Sequence, residues 1–349
     1  MAKQINSLQT LRGVAALLVA LYHYPSSSYL YFKDGFLAVY FFFSLSGFVI
    51  ALNYFNKIRD FNSLIQFQKK RFFRIYPIHI FALFVVLSIQ LVKLILLKFY
   101  NFYSANEAFY PSKLFSVTDF FQHIFLTQSV TNFGYFLSWN SASWAISAEF
   151  YAYLAFGILV LIVRNNKLIF ITLAIIYILF IEIISSKLQI YINPVFLNCL
   201  FYFFNGCIVF FIYDKNKLRI NDISFLSFLI ILILWNKYYY LNNAIFYSAI
   251  IFLVLIIKES AFFYKVFNFY PFVYFGTISY SFYLLHQPIL YLYIQTLKFI
   301  FNINFNDKGG ISTSIGIPYY DTLITVSYIL TTLLLAVFTY RHIEKKFRI

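Results

Sequence analysis

The chain has 349 residues, of which 62% are hydrophobic, 24% are aromatic and only 11% are charged. A soluble domain averages about 25% charged residues, so this composition excludes a soluble globular protein and indicates a polytopic membrane protein. The formal net charge of +15 does not indicate a nucleic-acid partner, because the positive residues lie between apolar runs rather than on one solvated surface.

Apolar runs of near-spanning length recur along the sequence and predict an all-α membrane protein with about ten transmembrane helices. The predicted spans are 7–24, 36–54, 75–98, 142–163, 168–186, 194–213, 223–241, 243–257, 270–294 and 321–340. No small-residue cleavage site follows the first run, so we expect it to remain as a span. We expect one transmembrane domain over residues 1–349, in which Cys199 and Cys207 are buried, inert thiols.

Lysine and arginine are distributed unevenly between the predicted connections. With residue 1 inside, 18 of the 27 Lys and Arg residues fall in the N-terminal tail and the inner connections, and seven fall in the outer ones. This asymmetry predicts that both termini are cytoplasmic. The longest connections, 99–141 and 295–320, then face outward, and the first contains a partly interfacial segment.

The first predicted span contains "LRGVAALLVALYHY", with Arg12 and His23 eleven residues apart. A helix advances 100° and 1.5 Å per residue, which puts both side chains on one face, about 16 Å apart along the axis. A snorkelling arginine near the inner end and an interfacial histidine near the outer end would explain each residue alone. Because the two residues share a face, a polar pathway inside the bundle is an explanation of equal weight.

Further ionisable residues lie near the ends of other spans. In "KKRFFRIYP" (69–77), Arg71 and Arg74 are neighbours on one helical face, and their forked guanidinium groups suit phosphate. Anchoring to the inner surface explains them as well, and spacing alone favours it.

In "SWNSASWAISAEFYAY", Glu149 lies about a turn and a half inside the fourth span. That carboxylate needs a partner, a proton or a wet cavity, and a structural ion pair is the alternative to a functional site.

The ninth predicted span contains "SYSFYLLHQP", with Ser279, Tyr283 and His286 at i, i+4 and i+7 on one face. We expect Pro288 to loosen this helix locally. A polar contact between helices would explain the same pattern, because hydroxyl residues commonly make such contacts in membranes.

Taken in order, these segments resemble the acyltransferase-3 family of membrane acyltransferases. The Arg-x10-His opening, "VYFFFSLSGFVIA", "RFFRIYP", "SWAISAEFYAY", "SYSFYLLHQPI" and the closing "YRHIEKKFR" are similar to family segments and extend over nearly the whole chain. The chain departs from the pattern at Tyr40, where many members have an acidic residue, and at Lys346, where many have proline. The chain stops at Ile349, so we do not expect the extracytoplasmic hydrolase-like domain that some relatives carry.

The resemblance implies transfer of an acyl group, usually acetyl, from cytoplasmic acyl-CoA to a hydroxyl of an extracytoplasmic or lipid-linked glycan, such as O-antigen or capsule. It implies a multi-pass protein of a bacterial cytoplasmic membrane that contacts membrane lipids, uses no metal and binds no nucleic acid. A homo-oligomer is compatible with it. A transporter or flippase for lipid-linked sugars, a glycan polymerase and a scaffold subunit for envelope assembly are alternatives, which the ordered motifs favour less.

The resemblance also implies roles for the polar residues. The CoA phosphates are expected at three arginines on the cytoplasmic side: Arg12, Arg71 and Arg74. His23, which titrates near neutrality, is the expected general base on the acceptor hydroxyl. Glu149 is expected to orient His23 or the acceptor, and His286 to bind the donor or steady the cavity.

Overall fold

A computed structural model describes residues 5–23, 28–100, 114–184, 193–215, 218–239, 243–301, 306–308 and 311–347. Its helices are α1 (Asn6–His23), α2 (Ala38–Tyr54), α3 (Phe61–Tyr100), α4 (Val117–Phe125), α5 (Trp144–Ile162), α6 (Lys167–Ile184), α7 (Pro194–Lys215), α8 (Asp222–Tyr239), α9 (Asn243–Leu255), α10 (Phe262–Phe267), α11 (Tyr270–Phe301) and α12 (Pro318–Thr339). An antiparallel hairpin of β1 (Asn306–Lys308) and β2 (Ile311–Ser314) lies in the predicted outer connection 295–320.

Each predicted span overlaps one helix, and five stretches of the described chain are long and apolar enough to cross a membrane. These are Gly35–Tyr54, Phe61–Leu96, Ser141–Ile162, Pro194–Asp214 and Pro318–Glu344. The prediction of a helical protein with several membrane-spanning helices is therefore confirmed. Ten spans and two cytoplasmic termini stay predictions.

The third span is longer than the apolar run that predicted it. The inner connection was expected to extend to residue 74, but α3 begins at Phe61 and continues for 40 residues. Asp60 and Ser63 set this start, because the Asp60 carboxylate accepts a hydrogen bond from the Ser63 backbone N–H at 2.7 Å. The basic residues interrupt the apolar pattern without interrupting the helix, so Arg71 and Arg74 lie on a helix rather than in a loop.

Close crossings of helix pairs build the centre of the bundle. A Cβ atom at Gly47 of α2 would lie 1.9 Å from the carbonyl oxygen of Phe203 in α7. A Cβ atom at Gly206 of α7 would lie 1.9 Å from the carbonyl oxygen of Ser44, so the two backbones touch reciprocally. A Cβ atom at Gly276 of α11 would likewise lie 1.8 Å from the carbonyl oxygen of Gln9 in α1. Small residues allow such approaches in membrane proteins, and here they hold α1 against α11 and α2 against α7.

Gly206→Ala is expected to destabilise the protein by about 1–3 kcal/mol, because the added methyl group must push two helix backbones apart. Gly157→Ala is the matched control, since the one close contact of its Cβ would be the end of the Leu64 side chain, which can rotate away, and the Phe67 ring lies at an ordinary 3.6 Å. The measurement is the midpoint of helix loss on heating in detergent, followed by circular dichroism. Equal midpoints for the two variants would show that the α2–α7 contact tolerates a side chain.

The short helix α4 has its polar face turned inward and its apolar face turned outward. Asp119 and His123 are buried, whereas Val117, Phe121 and Phe125 are exposed at i, i+4 and i+8. This arrangement is the reverse of a surface helix in a soluble protein, and it suits a helix that lies along lipid. It agrees with the interfacial segment expected in the connection 99–141.

Candidate active site

Three arginines and one glutamate line a single cavity between α1, α2, α3, α5 and α11. We call it the arginine cavity, and its charged lining residues are Arg12, Arg71, Arg74 and Glu149. Its volume is about 60 Å³, which is room for a few water molecules. The arginines expected to act together are therefore brought together, although two of them come from α3 and one from α1.

Arg71 is the most constrained of these arginines. Its guanidinium donates a hydrogen bond to the Tyr54 hydroxyl at 2.8 Å and lies 4.9 Å from the centre of the Tyr54 ring. Its Nε is buried and has no hydrogen-bond partner within the described part of the chain. A buried charged donor without a partner is costly, so this group is suited to an anionic ligand or to water. Sequence reasoning did not identify Tyr54, because no local pattern connects it to Arg71.

Glu149 belongs to the arginine cavity rather than to the surroundings of His23. The hydroxyl groups of Ser46 and Tyr153 both donate to its carboxylate, and they lie 3.0 Å from each other. Among the described contacts no hydrogen bond joins Glu149 to His23, and the role expected for Glu149, orienting His23 or the acceptor, stays a prediction. Sequence reasoning missed Ser46 and Tyr153. Tyr153 had a usable signal, because it lies four residues after Glu149 on the same helical face.

His23 and His286 form a pair, which we call the histidine pair. The Nδ1 atom of His23 lies 2.8 Å from the Val19 carbonyl oxygen and 3.3 Å from Nε2 of His286. The Nδ1 atom of His286 is hydrogen-bonded to the Tyr283 carbonyl oxygen. Because carbonyl oxygens only accept, both Nδ1 atoms carry the hydrogen in the neutral rings. Nε2 of His23 therefore carries a lone pair, and His23 is partly exposed whereas His286 is fully buried.

The arginine cavity and the histidine pair are connected through two helices. On α11, Ser279 and Tyr283 line the cavity, and His286 follows Tyr283 by three residues, about 4.5 Å along the axis. On α1, Arg12 lines the cavity and His23 belongs to the pair. Each of these two helices therefore carries one part of the cavity lining and one member of the histidine pair, although His23 and His286 do not line the cavity. The pairing of His23 with His286 could not be predicted, because no pattern within a span gives the distance to another span.

Pro288 does not interrupt α11, which is continuous from Tyr270 to Phe301. Proline has no N–H to donate to the carbonyl oxygen four residues earlier, which belongs to Leu284. The side-chain amide of Asn140 donates to that oxygen instead, at 3.0 Å. A side chain from another segment thus satisfies the carbonyl that proline leaves free, as is common in membrane helices. The contact also fixes the segment between α4 and α5 close to His286.

The same segment is held by a buried histidine of α4. The His123 Nδ1 atom lies 3.0 Å from the Ser143 hydroxyl and Nε2 lies 3.1 Å from the Ser138 hydroxyl. His79 of α3 donates through Nε2 to the His123 carbonyl oxygen at 2.8 Å. Burial lowers the pKa of the His123 imidazole to about 3, with the charge of nearby His79 as a second cause. His123 is therefore neutral in the folded protein at physiological pH.

Acidification is expected to destabilise the folded protein through His123. Between its unfolded pKa of 6.5 and its folded pKa of about 3, the unfolded chain binds a proton that the folded chain does not. Above pH 6.5 the titration of His123 hardly changes the free energy of unfolding. By pH 5 it lowers that free energy by about 2 kcal/mol. Thermal midpoints at pH 7 and pH 5 measure it. His123→Gln should show a smaller drop than wild type, and equal drops in both proteins would contradict the assignment.

Comparison with known proteins gives one match. A family model described as "Acyltransferase domain" matches residues 5–341, a range that includes every candidate site residue above. Searches of curated proteins and of solved structures give no match. Across the described residues, no three His, Cys, Asp or Glu side chains cluster as possible metal ligands.

Proposed function

The chain belongs to the acyltransferase family Acyl_transf_3, and from this premise we propose that it transfers an acetyl or similar acyl group from acyl-CoA to a glycan hydroxyl. The resemblance inferred from the motifs is confirmed by the family match. The observation that carries the proposal is that α1 and α11 join a cavity lined by three arginines to a pair of histidines, one of which has a free Nε2 lone pair. The cavity suits phosphate, and the histidine pair suits proton transfer from a hydroxyl.

The donor end is the arginine cavity. CoA carries several phosphate groups, and the forked donors of arginine match phosphate oxygens in pairs. The unpartnered Nε of Arg71 supports this use. Because the cavity holds only a few waters as it stands, we propose that it widens when the donor binds. On the orientation predicted from Lys and Arg, this end faces the cytoplasm, where acyl-CoA is made.

The chemical end is the histidine pair. We propose that Nε2 of His23 removes the acceptor hydroxyl proton while the oxygen attacks the thioester carbonyl carbon. The new C–O bond forms, the C–S bond breaks, and the CoA thiolate takes the proton from His23. His286 acts as a positioning residue: its Nε2 shares the Nδ1–H of His23 with the Val19 carbonyl oxygen and helps to stabilise the positive charge on that ring during transfer. Glu149 acts at the donor end as a counter-charge to the arginines.

The acceptor is proposed to approach from the outer side of a bacterial cytoplasmic membrane, as a surface polysaccharide or a lipid-linked precursor. Asn140 belongs to the connection predicted to face outward and contacts α11 near His286, which supports an approach of the acceptor from that side. The predicted orientation supports the same direction of approach.

The decisive experiment measures CoA release from acetyl-CoA by the purified protein, with and without a glycan acceptor, in a thiol-reactive assay. Cys199 and Cys207 are both buried, so the protein itself contributes little background. We expect release that depends on the acceptor, together with a product heavier by one acetyl group in mass spectrometry. A flippase, a polymerase or a scaffold subunit would release no CoA in either condition.

A further inference from the structure

Glu149 uses only one of its two carboxylate oxygens for hydrogen bonds within the described part of the chain. The hydroxyl groups of Ser46 and Tyr153 both donate to Oε1. The other oxygen, Oε2, accepts no hydrogen bond from a described residue, although an ionised carboxylate has about four acceptor sites. Glu149 is partly exposed and lines the arginine cavity, so this second oxygen is available to a ligand there.

Two helices hold the Glu149 carboxylate in one orientation. Ser46 belongs to α2, whereas Tyr153 belongs to α5 like Glu149, and the two hydroxyl oxygens lie 3.0 Å apart. Ser46 also lies in "VYFFFSLSGFVIA", a family-like segment to which the proposed function assigns no role. A group that is fixed before a ligand arrives loses little freedom on binding, so this arrangement suits recognition.

The cavity keeps its positive and negative groups apart. Among the described residues, no ion pair joins the Glu149 carboxylate to Arg12 or Arg71, although all three residues line the same cavity. The Nε–H of Arg71 is buried without a partner in that part of the chain. The cavity therefore offers an unused donor and an unused acceptor, which together complement a ligand that carries both an anion and an N–H or O–H group.

Glu149 has neighbours towards both the donor end and the chemical end. The charges of Arg71 and Glu149 both act on the Tyr153 hydroxyl, and the charge of Glu149 also acts on Tyr283. Tyr283 lines the cavity, and its ring lies 5.6 Å from the ring of His286. A donor with its phosphates at Arg71 and its thioester at the histidine pair therefore brings the chain between them past Glu149.

We propose that Oε2 of Glu149 accepts a hydrogen bond from the pantetheine arm of the acyl-CoA donor, which carries a hydroxyl and amide N–H groups between the phosphates and the thioester. The inference rests on the proposed function, because it takes acyl-CoA as the donor. It adds a directional contact to the counter-charge role of Glu149. Ser46 and Tyr153 act as positioning residues, because they hold Oε1 and leave Oε2 for the arm.

The test compares two ligands by isothermal titration of the full-length protein in detergent: acetyl-CoA, and 3′-phosphoadenosine 5′-diphosphate, which has the CoA phosphates but no arm. Glu149→Gln should weaken acetyl-CoA binding by about 10- to 100-fold, the usual contribution of a hydrogen bond to a charged group. Ser46 and Tyr153 donate to the amide oxygen of the glutamine, so its NH₂ group replaces Oε2 and meets a donor of the arm. The nucleotide should bind at least as tightly as it does to wild type, because the cavity has lost a negative charge.

Glu149→Asp is an independent test that answers the question if Glu149→Gln fails to fold. It keeps the charge but draws the carboxylate back by one methylene group, so it should also weaken acetyl-CoA binding and leave nucleotide binding unchanged. Glu259→Gln is the matched control, because Glu259 is exposed and lies outside the cavity lining. Both of its affinities should equal those of wild type.

Equal losses for acetyl-CoA and the nucleotide in Glu149→Gln would overturn the proposal, because they would leave Glu149 with an effect on the phosphates only. Unchanged acetyl-CoA affinity in both Glu149 variants would overturn it as well. If wild type still binds acetyl-CoA and releases CoA only with an acceptor, either result overturns this inference alone. A wild-type protein that neither binds acetyl-CoA nor releases CoA would overturn the proposed function together with it.

Discussion

Replacing His23 with glutamine is expected to slow acyl transfer by about 10²–10⁴-fold, the usual contribution of a general base, while acetyl-CoA binding stays as in wild type. Glutamine retains hydrogen-bonding capacity but does not accept a proton near neutral pH. The phosphate contacts are unaffected, because Arg12 lies about 16 Å away along α1. Single-turnover acylation rates measure the chemical step, and acetyl-CoA affinity measures the donor end separately.

His342→Gln is the matched control for this substitution, because His342 is exposed beyond α12 and far along the chain from the site. It should transfer acyl groups at the wild-type rate. If His23→Gln retained near-full activity with chemistry shown to be rate-limiting, the histidine would be structural. The base would then have to be sought elsewhere, beginning with Glu149.

His286 can be separated from a mere packing role by two variants. His286→Leu fills the space but removes one of the two acceptors for Nδ1–H of His23 and leaves the Val19 carbonyl oxygen, so it should lower kcat with little change in the donor KM. His286→Gln restores an acceptor oxygen and should recover part of the rate. Equal rates in the two variants would leave His286 with a packing role only.

Arg71→Ala is expected to weaken acetyl-CoA binding by about 10- to 100-fold, since hydrogen bonds to charged groups contribute about 1.5–3 kcal/mol. Arg71→Lys should recover only part of this loss, because lysine supplies the charge but not the planar fork. Arg74→Ala should also weaken acetyl-CoA binding. Arg59→Ala is the matched control, because Arg59 is exposed on the same predicted cytoplasmic side. Like Arg71→Ala, it removes one anchoring charge.

Isothermal titration with acetyl-CoA measures these affinities, and acetyl-pantetheine, which lacks the nucleotide phosphates, identifies the group involved. The loss in Arg71→Ala should appear with acetyl-CoA and be absent with acetyl-pantetheine. Unchanged acetyl-CoA affinity in both Arg71→Ala and Arg74→Ala would leave only the membrane-anchoring interpretation. An equal loss in Arg59→Ala would lead to the same conclusion.

The sequence by itself determined the helices and the side chains that share a face within each helix. Apolar runs and the helical period are local properties, so the shared faces of Arg12 with His23 and of Ser279 with Tyr283 could be predicted without any tertiary contact. The start of α3 was mistaken because a basic stretch ends an apolar run without ending a helix. There the capping residue Asp60, rather than hydropathy, determines where the helix begins.

Only the tertiary structure decided which spans meet. Local periodicity carries no information about the neighbour of a helix, so the contact of His23 with His286 and the place of Glu149 among the arginines had no signal within their own spans. These contacts depend on backbones that approach closely at glycines such as Gly276, where the absence of a side chain lets α1 and α11 touch. The physical reason is that hydropathy is similar on most sides of a membrane helix, so packing and hydrogen bonds between helices select its partner.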